Sequence, residues 1–139
     1  MKKLLLLLLC TTTLGLVSCK KDNLIQETPN RTYKFEIQPN QWVLSSDGLS
    51  YTYEWSNSNV INDDTLDEDG VLVYLNHPLN VDSDIQLPYV FDVDAYSYEL
   101  YRGGLRIDIQ SSDLQAPAPR RPNVVVYGKV VVIRSRSAN

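Results

Sequence analysis

Between Tyr96 and Ile109 the sequence spells out a hairpin. Tyr96, Tyr98 and Leu100 alternate with Ser97 and Glu99, Arg102-Gly103-Gly104 turns the chain, and Leu105, Ile107 and Ile109 alternate with Arg106 and Asp108. A period of two puts every apolar side chain on one face and every polar one on the other, a pattern no helix shares. Glycines in the turn supply the positive φ that a tight connection needs. One hairpin cannot bury its own apolar face, so a chain containing it must find further strands.

The rest of the sequence offers them. Tyr33, Phe35 and Ile37 alternate with Lys34 and Glu36 across Thr32 to Gln38, a half-buried strand that Pro39-Asn40 ends. Gln41 to Leu44 reads as a short strand carrying Trp42 and Leu44, and Ser45-Ser46-Asp47-Gly48 as a turn. Tyr51, Tyr53 and Trp55 make a third strand, and Asn57 to Ile61 a short fourth. Asn62 to Gly70 begins with a capping residue, carries acids in its first turn and ends in glycine, which predicts one or two helical turns.

Val71-Leu72-Val73-Tyr74-Leu75 is an unbroken apolar run and the expected most buried strand. Leu79 to Ser83 reads as loop, and Ile85 to Tyr89 as an edge strand because Pro88 interrupts it. Ser111 to Pro122 is a proline-rich loop. Val124 to Ile133 closes the domain, with Gly128 suggesting a bulge or bend. Many short strands and no long helix predict an all-β fold, a single antiparallel β-sandwich with Greek-key or jelly-roll-like topology. Nine tyrosines and two tryptophans suit it, and 139 residues suffice for one core.

The start of the chain follows different rules. Met1-Lys2-Lys3 is a basic opening, Leu4 to Leu9 a leucine run, and the apolar character continues to Val17 before Cys19-Lys20-Lys21-Asp22 turns polar. This is the layout of a signal peptide, and it falls short of the roughly 20 apolar residues of a membrane span. Leu16-Val17-Ser18-Cys19 resembles the lipobox of bacterial lipoproteins, and Ser18-Cys19-Lys20-Lys21-Asp22 is similar to lipoproteins of the Bacteroidota. The resemblance implies cleavage between Ser18 and Cys19 and palmitate-type acylation of Cys19. It also implies lipid anchoring to the outer membrane of the cell envelope. Several acyl chains hold a protein stably where one holds it marginally. The expected organisation is a leader over 1–18, a flexible tether over 19–30, a β-sandwich over 31–134 and a tail over 135–139. The order of landmarks from Tyr33 to Ile133 also resembles small exported β-domain proteins of the Bacteroidota, which implies a fold and no activity.

Charge is unevenly spread. From Phe35 to Tyr101 there is no Lys or Arg, while Arg102, Arg106, Arg120, Arg121, Lys129, Arg134 and Arg136 follow. The whole chain carries −4, and loss of the leader removes two lysines, so nucleic acid is disfavoured as a partner. The simplest reading of the asymmetry is that late basic strands pair beside early acidic ones.

No catalytic or metal-binding constellation stands out. Asp67, Asp69 and Gly70 fit part of a calcium loop, but Thr65 and Asn76 occupy two key ligand positions. Asp82 with Asp84, and Asp92 with Asp94, form two Asp-x-Asp pairs suited to a hard cation, to hydrolysis or simply to turns. His77 is the sole histidine and reads as a loop residue. Among the aromatics, Tyr101 has opposite parity to Tyr96 and Tyr98, so it is the one expected to face out and the single ligand-binding candidate. The expected function is therefore a non-catalytic, lipid-anchored domain without cofactor or metal, binding a glycan or an envelope protein. The alternatives are an assembly component that pairs strands through an edge such as Val124 to Ile133, and a small hydrolase using the Asp pairs.

Overall fold

The computed structural model describes residues 29–113 and 119–135. Ser18, Cys19, the leader, nearly all of the tether and the tail from 136 lie outside the described residues, as does the middle of the proline-rich loop. Nine strands form two antiparallel sheets packed face to face as a β-sandwich. Strands β1 (Arg31–Ile37), β4 (Gly70–His77), β5 (Asn80–Gln86) and β9 (Val126–Ile133) make the first sheet, in the order β1-β9-β4-β5. Strands β2 (Val43–Leu44), β3 (Ser50–Ser56), β6 (Tyr89–Phe91), β7 (Asp94–Tyr101) and β8 (Gly104–Ser111) make the second, in the order β2-β3-β8-β7-β6. The first strand pairs with the last, and β3 pairs with β8 in the opposite sheet. This nesting is jelly-roll-like.

The core lies between the inner faces. Val71, Val73 and Leu75 of β4 meet Val130 and Val132 of β9 on one side, and Leu105, Ile107 and Ile109 of β8 on the other. Each fully buried side chain of this size contributes roughly 1.5–3 kcal/mol. The aromatics named above are part of this filling. Phe35 stacks on Tyr53 across the sandwich at 6.1 Å, Tyr33 meets Trp55 at 6.3 Å, and the Tyr98 hydroxyl donates to the Val71 carbonyl at 2.7 Å. Burial raises the Tyr53, Tyr96 and Tyr98 hydroxyls above the usual phenol range.

The hairpin from Tyr96 to Ile109 forms as expected, with Leu100 opposite Leu105 and Tyr101 opposite Gly104. The helical turn also forms, as α1 (Asp63–Asp67), where the Asn62 side chain accepts from the Thr65 amide at 2.9 Å.

Several expectations are corrected. Gln41 ends a 3-10 turn, so Trp42 is buried ahead of β2 while Leu44 stays exposed. Asn57 to Ile61 is a turn, closed by Val60 and Ile61 amides on the Asn57 carbonyl, and it buries Val60 and Ile61 without a strand. Residues 80–83 fall within β5, whose ladder with β4 begins at Asn80 opposite His77 and resumes at Asp84 opposite Asn76, leaving 81–83 in the register shift. Ile85 to Tyr89 is not one strand. At the cis Leu87-Pro88 bond the chain leaves β5, an edge of one sheet, for β6, an edge of the other.

Gly128 marks no bulge. Its registers with Phe35 and Leu75 are unshifted on both sides. A Cβ there would collide with the Phe35 ring and lie 3.0 Å from Leu75 Cδ2, so glycine makes room for an aromatic ring over the strand. The bulge sits instead between Asn76 and His77, where the buried Asn76 side chain accepts the Tyr127 amide at 2.7 Å. Strand β9 is interior, paired on both sides, so it offers no edge for strand addition.

Gly128→Val should therefore destabilise the domain by about 1–3 kcal/mol in chemical denaturation, as overpacking does. Adding Phe35→Leu should recover part of the loss. A loss left untouched by Phe35→Leu would show that backbone conformation, not packing, requires the glycine.

Candidate functional site

Several of the late basic residues pair with carboxylates of the same chain. Arg102 pairs with Asp63 at 2.8 Å, Lys129 with Asp84 at 2.6 Å and Arg134 with Asp69 at 2.6 Å. Arg120 reaches Asp94 through Nε at 2.9 Å and Asp92 through Nη2 at 2.8 Å. The two Asp-x-Asp pairs are therefore separate in space and differently engaged. Asp92 and Asp94 share one arginine, and Asp84 holds Lys129 while Asp82 is exposed.

Asp69 also accepts the Ser135 amide at 3.1 Å, and Arg134 donates its amide to Asn30 at 3.1 Å. The acidic turn thus clasps the two ends of the domain. His77 Nδ1 accepts the Leu79 amide at 3.0 Å, and its ring meets Phe91 edge-on at 5.1 Å. Among the described residues no group of three His, Cys, Asp or Glu side chains is placed to hold a metal ion.

What remains is the outer face of the second sheet. The period of two that sends Leu105, Ile107 and Ile109 inward sends Arg106, Asp108 and Gln110 outward on the central strand β8. Register then assembles rows across three strands. Glu54, Arg106 and Glu99 form one row, Thr52, Asp108 and Ser97 the next, and Ser50, Gln110 and Ala95 the third. A row of three strands is about 10 Å wide. The rows surround a shallow depression of about 430 Å³ lined by hydroxyls, carboxylates, an amide and a guanidinium. A second depression, of about 460 Å³, adjoins it across Thr52 towards β2.

Tyr101 lies on this face, in the row of Ser56 and Gly104 next to Arg106. It is half-buried, its hydroxyl leaning across the ladder onto Gly104. Gly104 has to be glycine there, because a Cβ would collide with the Trp55 carbonyl oxygen and crowd the Tyr101 hydroxyl. The other aromatics of these strands, Tyr51, Tyr53, Trp55, Tyr96 and Tyr98, point inward and pack on the core.

Electrostatics single out the centre of the face. Arg106 Nη2 is ion-paired to Glu99, while its Nε lies 3.5 Å from Asp108 Oδ2 and makes no hydrogen bond although it is buried. Burial pushes the Asp108 carboxyl above the usual range, and Glu99 adds to the rise, outweighing Arg106. The site therefore holds a half-buried carboxylate in surroundings that disfavour its charge, beside a buried donor without a partner. A solvent-facing sheet needs neither for its fold. The sequence reading passed over Arg106, Asp108, Thr52, Ser97 and Gln110, since alternating polar residues on a strand ordinarily mark a solvated face.

A raised folded-state carboxyl favours the protonated form, so its contribution to stability is present at low pH and lost as pH rises through the raised value. Asp108→Asn should be as stable as the parent or more so at pH 7, with the difference vanishing once acid protonates the parent carboxyl. Thermal melts from pH 3 to 8 read this directly. A variant that is less stable at pH 7 than at pH 3, relative to the parent, would make Asp108 a structural ion-pair member.

Compared with protein families, with curated proteins and with solved structures, the chain matches none, so the site rests on its own geometry.

Proposed function

We propose that this protein is a non-catalytic binding domain of the cell envelope, anchored to the outer membrane by lipid on Cys19. In this reading it binds a glycan on the outer face of its second sheet. The observation that carries the binding assignment is the Arg106–Asp108 centre, a polar cluster kept half-buried where folding alone would favour neutral residues. Enzymes and binding proteins commonly hold such groups at a cost in stability. Thr52, Ser97 and Gln110 supply uncharged donors and acceptors around it, and Tyr101 supplies an aromatic surface one row away. The lipid anchor is supported by Leu16-Val17-Ser18-Cys19 following a basic start and a leucine run.

Glycan-array binding followed by titration calorimetry tests the site. Asp108→Asn and Tyr101→Ala should each weaken binding by about tenfold or more, whereas Glu36→Gln on the first sheet should leave it unchanged. Binding that survives both changes would move the site elsewhere. Intact mass and membrane fractionation test the anchor. A membrane-bound species starting at Cys19 with added acyl mass, lost in Cys19→Ser, is expected. A soluble unacylated product would remove the lipoprotein reading.

A structural role through strand addition keeps one favourable observation, moved from β9 to β1. Strand β1 is seven residues long and forms an edge of its sheet, with one side of its backbone unpaired by any other strand among the described residues. A solution mass above the monomer that falls to the monomer with Lys34→Pro would favour it over ligand binding.

A further inference from the structure

The binding face is polar in an unequal way. Glu54, Glu99 and Asp108 stand on it against the single cation Arg106. That guanidinium is already matched, ion-paired to Glu99 and 3.5 Å from Asp108. Asp47, in the turn beside Ser45, adds another carboxylate at the far rim, where it accepts from the Ser45 hydroxyl and the Leu49 amide. The other groups around the depression, Ser50, Thr52, Ser97 and Gln110, carry no charge.

We infer that this face selects neutral, polyhydroxylated chains, oligosaccharides of unsubstituted sugars, and excludes uronic-acid and sulfated ones. The inference rests on the glycan reading above and narrows it. A sugar hydroxyl donates to the Asp108 carboxylate and accepts from the Thr52 or Ser97 hydroxyl or the Gln110 amide beside it, so adjacent hydroxyls are satisfied without bringing charge. A ligand carboxylate or sulfate meets the same face differently. No cation on the face is free to receive it, and the surplus carboxylates repel it at a distance where solvent screens only partly. The long side of the face supports a chain rather than a single ring. Four rows, from Tyr101 to Gln110, run about 20 Å along β8. Tyr101 sits at the end of that run, where an aromatic surface stacks on the apolar face of a terminal or penultimate sugar ring.

The test is an array of paired oligosaccharides, each neutral backbone printed beside its uronate or sulfated counterpart, followed by calorimetry at low and high salt. Neutral members should bind, with acidic counterparts at least tenfold weaker at low salt and the gap narrowing as salt rises. In the Glu54→Gln, Glu99→Gln double variant Arg106 loses its Glu99 partner and the face loses two carboxylates, so the acidic counterparts should gain. Acidic members binding as well as neutral ones would overturn the selectivity while leaving the glycan reading standing. A gap unchanged in the double variant would also overturn it, because charge would not be its cause. An array with no binding of either kind would remove both the selectivity and the glycan reading.

Discussion

The last strand holds this molecule together. Strand β9 lies between β1 and β4, and among the described residues it is the only strand that pairs with β1. Until it arrives, the first sheet consists of the β4–β5 hairpin alone, which cannot bury its inner face. The ladder from Arg31 with Val132 to Ile37 with Val126 joins parts of the chain almost the whole domain apart. Such pairing requires a large loss of chain freedom before any contact repays it, so closure is the slow and cooperative step expected of this topology. Gly128 belongs to the same constraint. By omitting its Cβ, β9 lets Phe35 lie over it and stack on Tyr53 of the opposite sheet.

The charge pattern follows from that closure. Lys129 and Arg134 arrive with β9 and meet Asp84 on β5 and Asp69 ahead of β4. Arg120, at the exit of the proline-rich loop, meets Asp92 and Asp94. The late cations therefore neutralise early acids one element at a time, and the asymmetry in sequence becomes local balance in space. Exposed pairs of this kind add little stability on their own. Arg134 with Asp69 is more consequential, since the Asp69 side chain is only 4% exposed and would be left buried and charged without it. On the outer face of the second sheet this balance is not reached. Carboxylates outnumber the one guanidinium, and the central carboxyl is raised by burial. A local departure from what favours folding is where function is to be sought.

The aromatic residues show how fold and site divide the same material. Alternation in β3 and β7 gives Tyr51, Tyr53, Trp55, Tyr96 and Tyr98 to the core, where they span the gap between sheets. Tyr101, one step out of that alternation, is given to the other face. A single change of parity thus separates an aromatic that fills the interior from one that a ligand can touch.

The amino-acid sequence alone determined the strand periodicity, the β7–β8 hairpin, the helical turn capped by Asn62, the inward tyrosines and the outward parity of Tyr101. These are local, carried by alternation and turn chemistry over a few residues. Tertiary structure decided the rest. Asn80 pairs with His77 and opens a strand although the polarity around it reads as loop, because β4 presents a partner edge, while residues 81–83 fall in the register shift. Leu87-Pro88 divides an apparent strand between two sheets, and Gly128 is required by Phe35, a residue far away in sequence. The cluster of Arg106, Asp108, Thr52 and Ser97 exists only through register, since Thr52 and Ser97 reach Asp108 from two other strands. No stretch of sequence holds all four together. Their meeting, and the burial that raises Asp108, belong to the packed sheet.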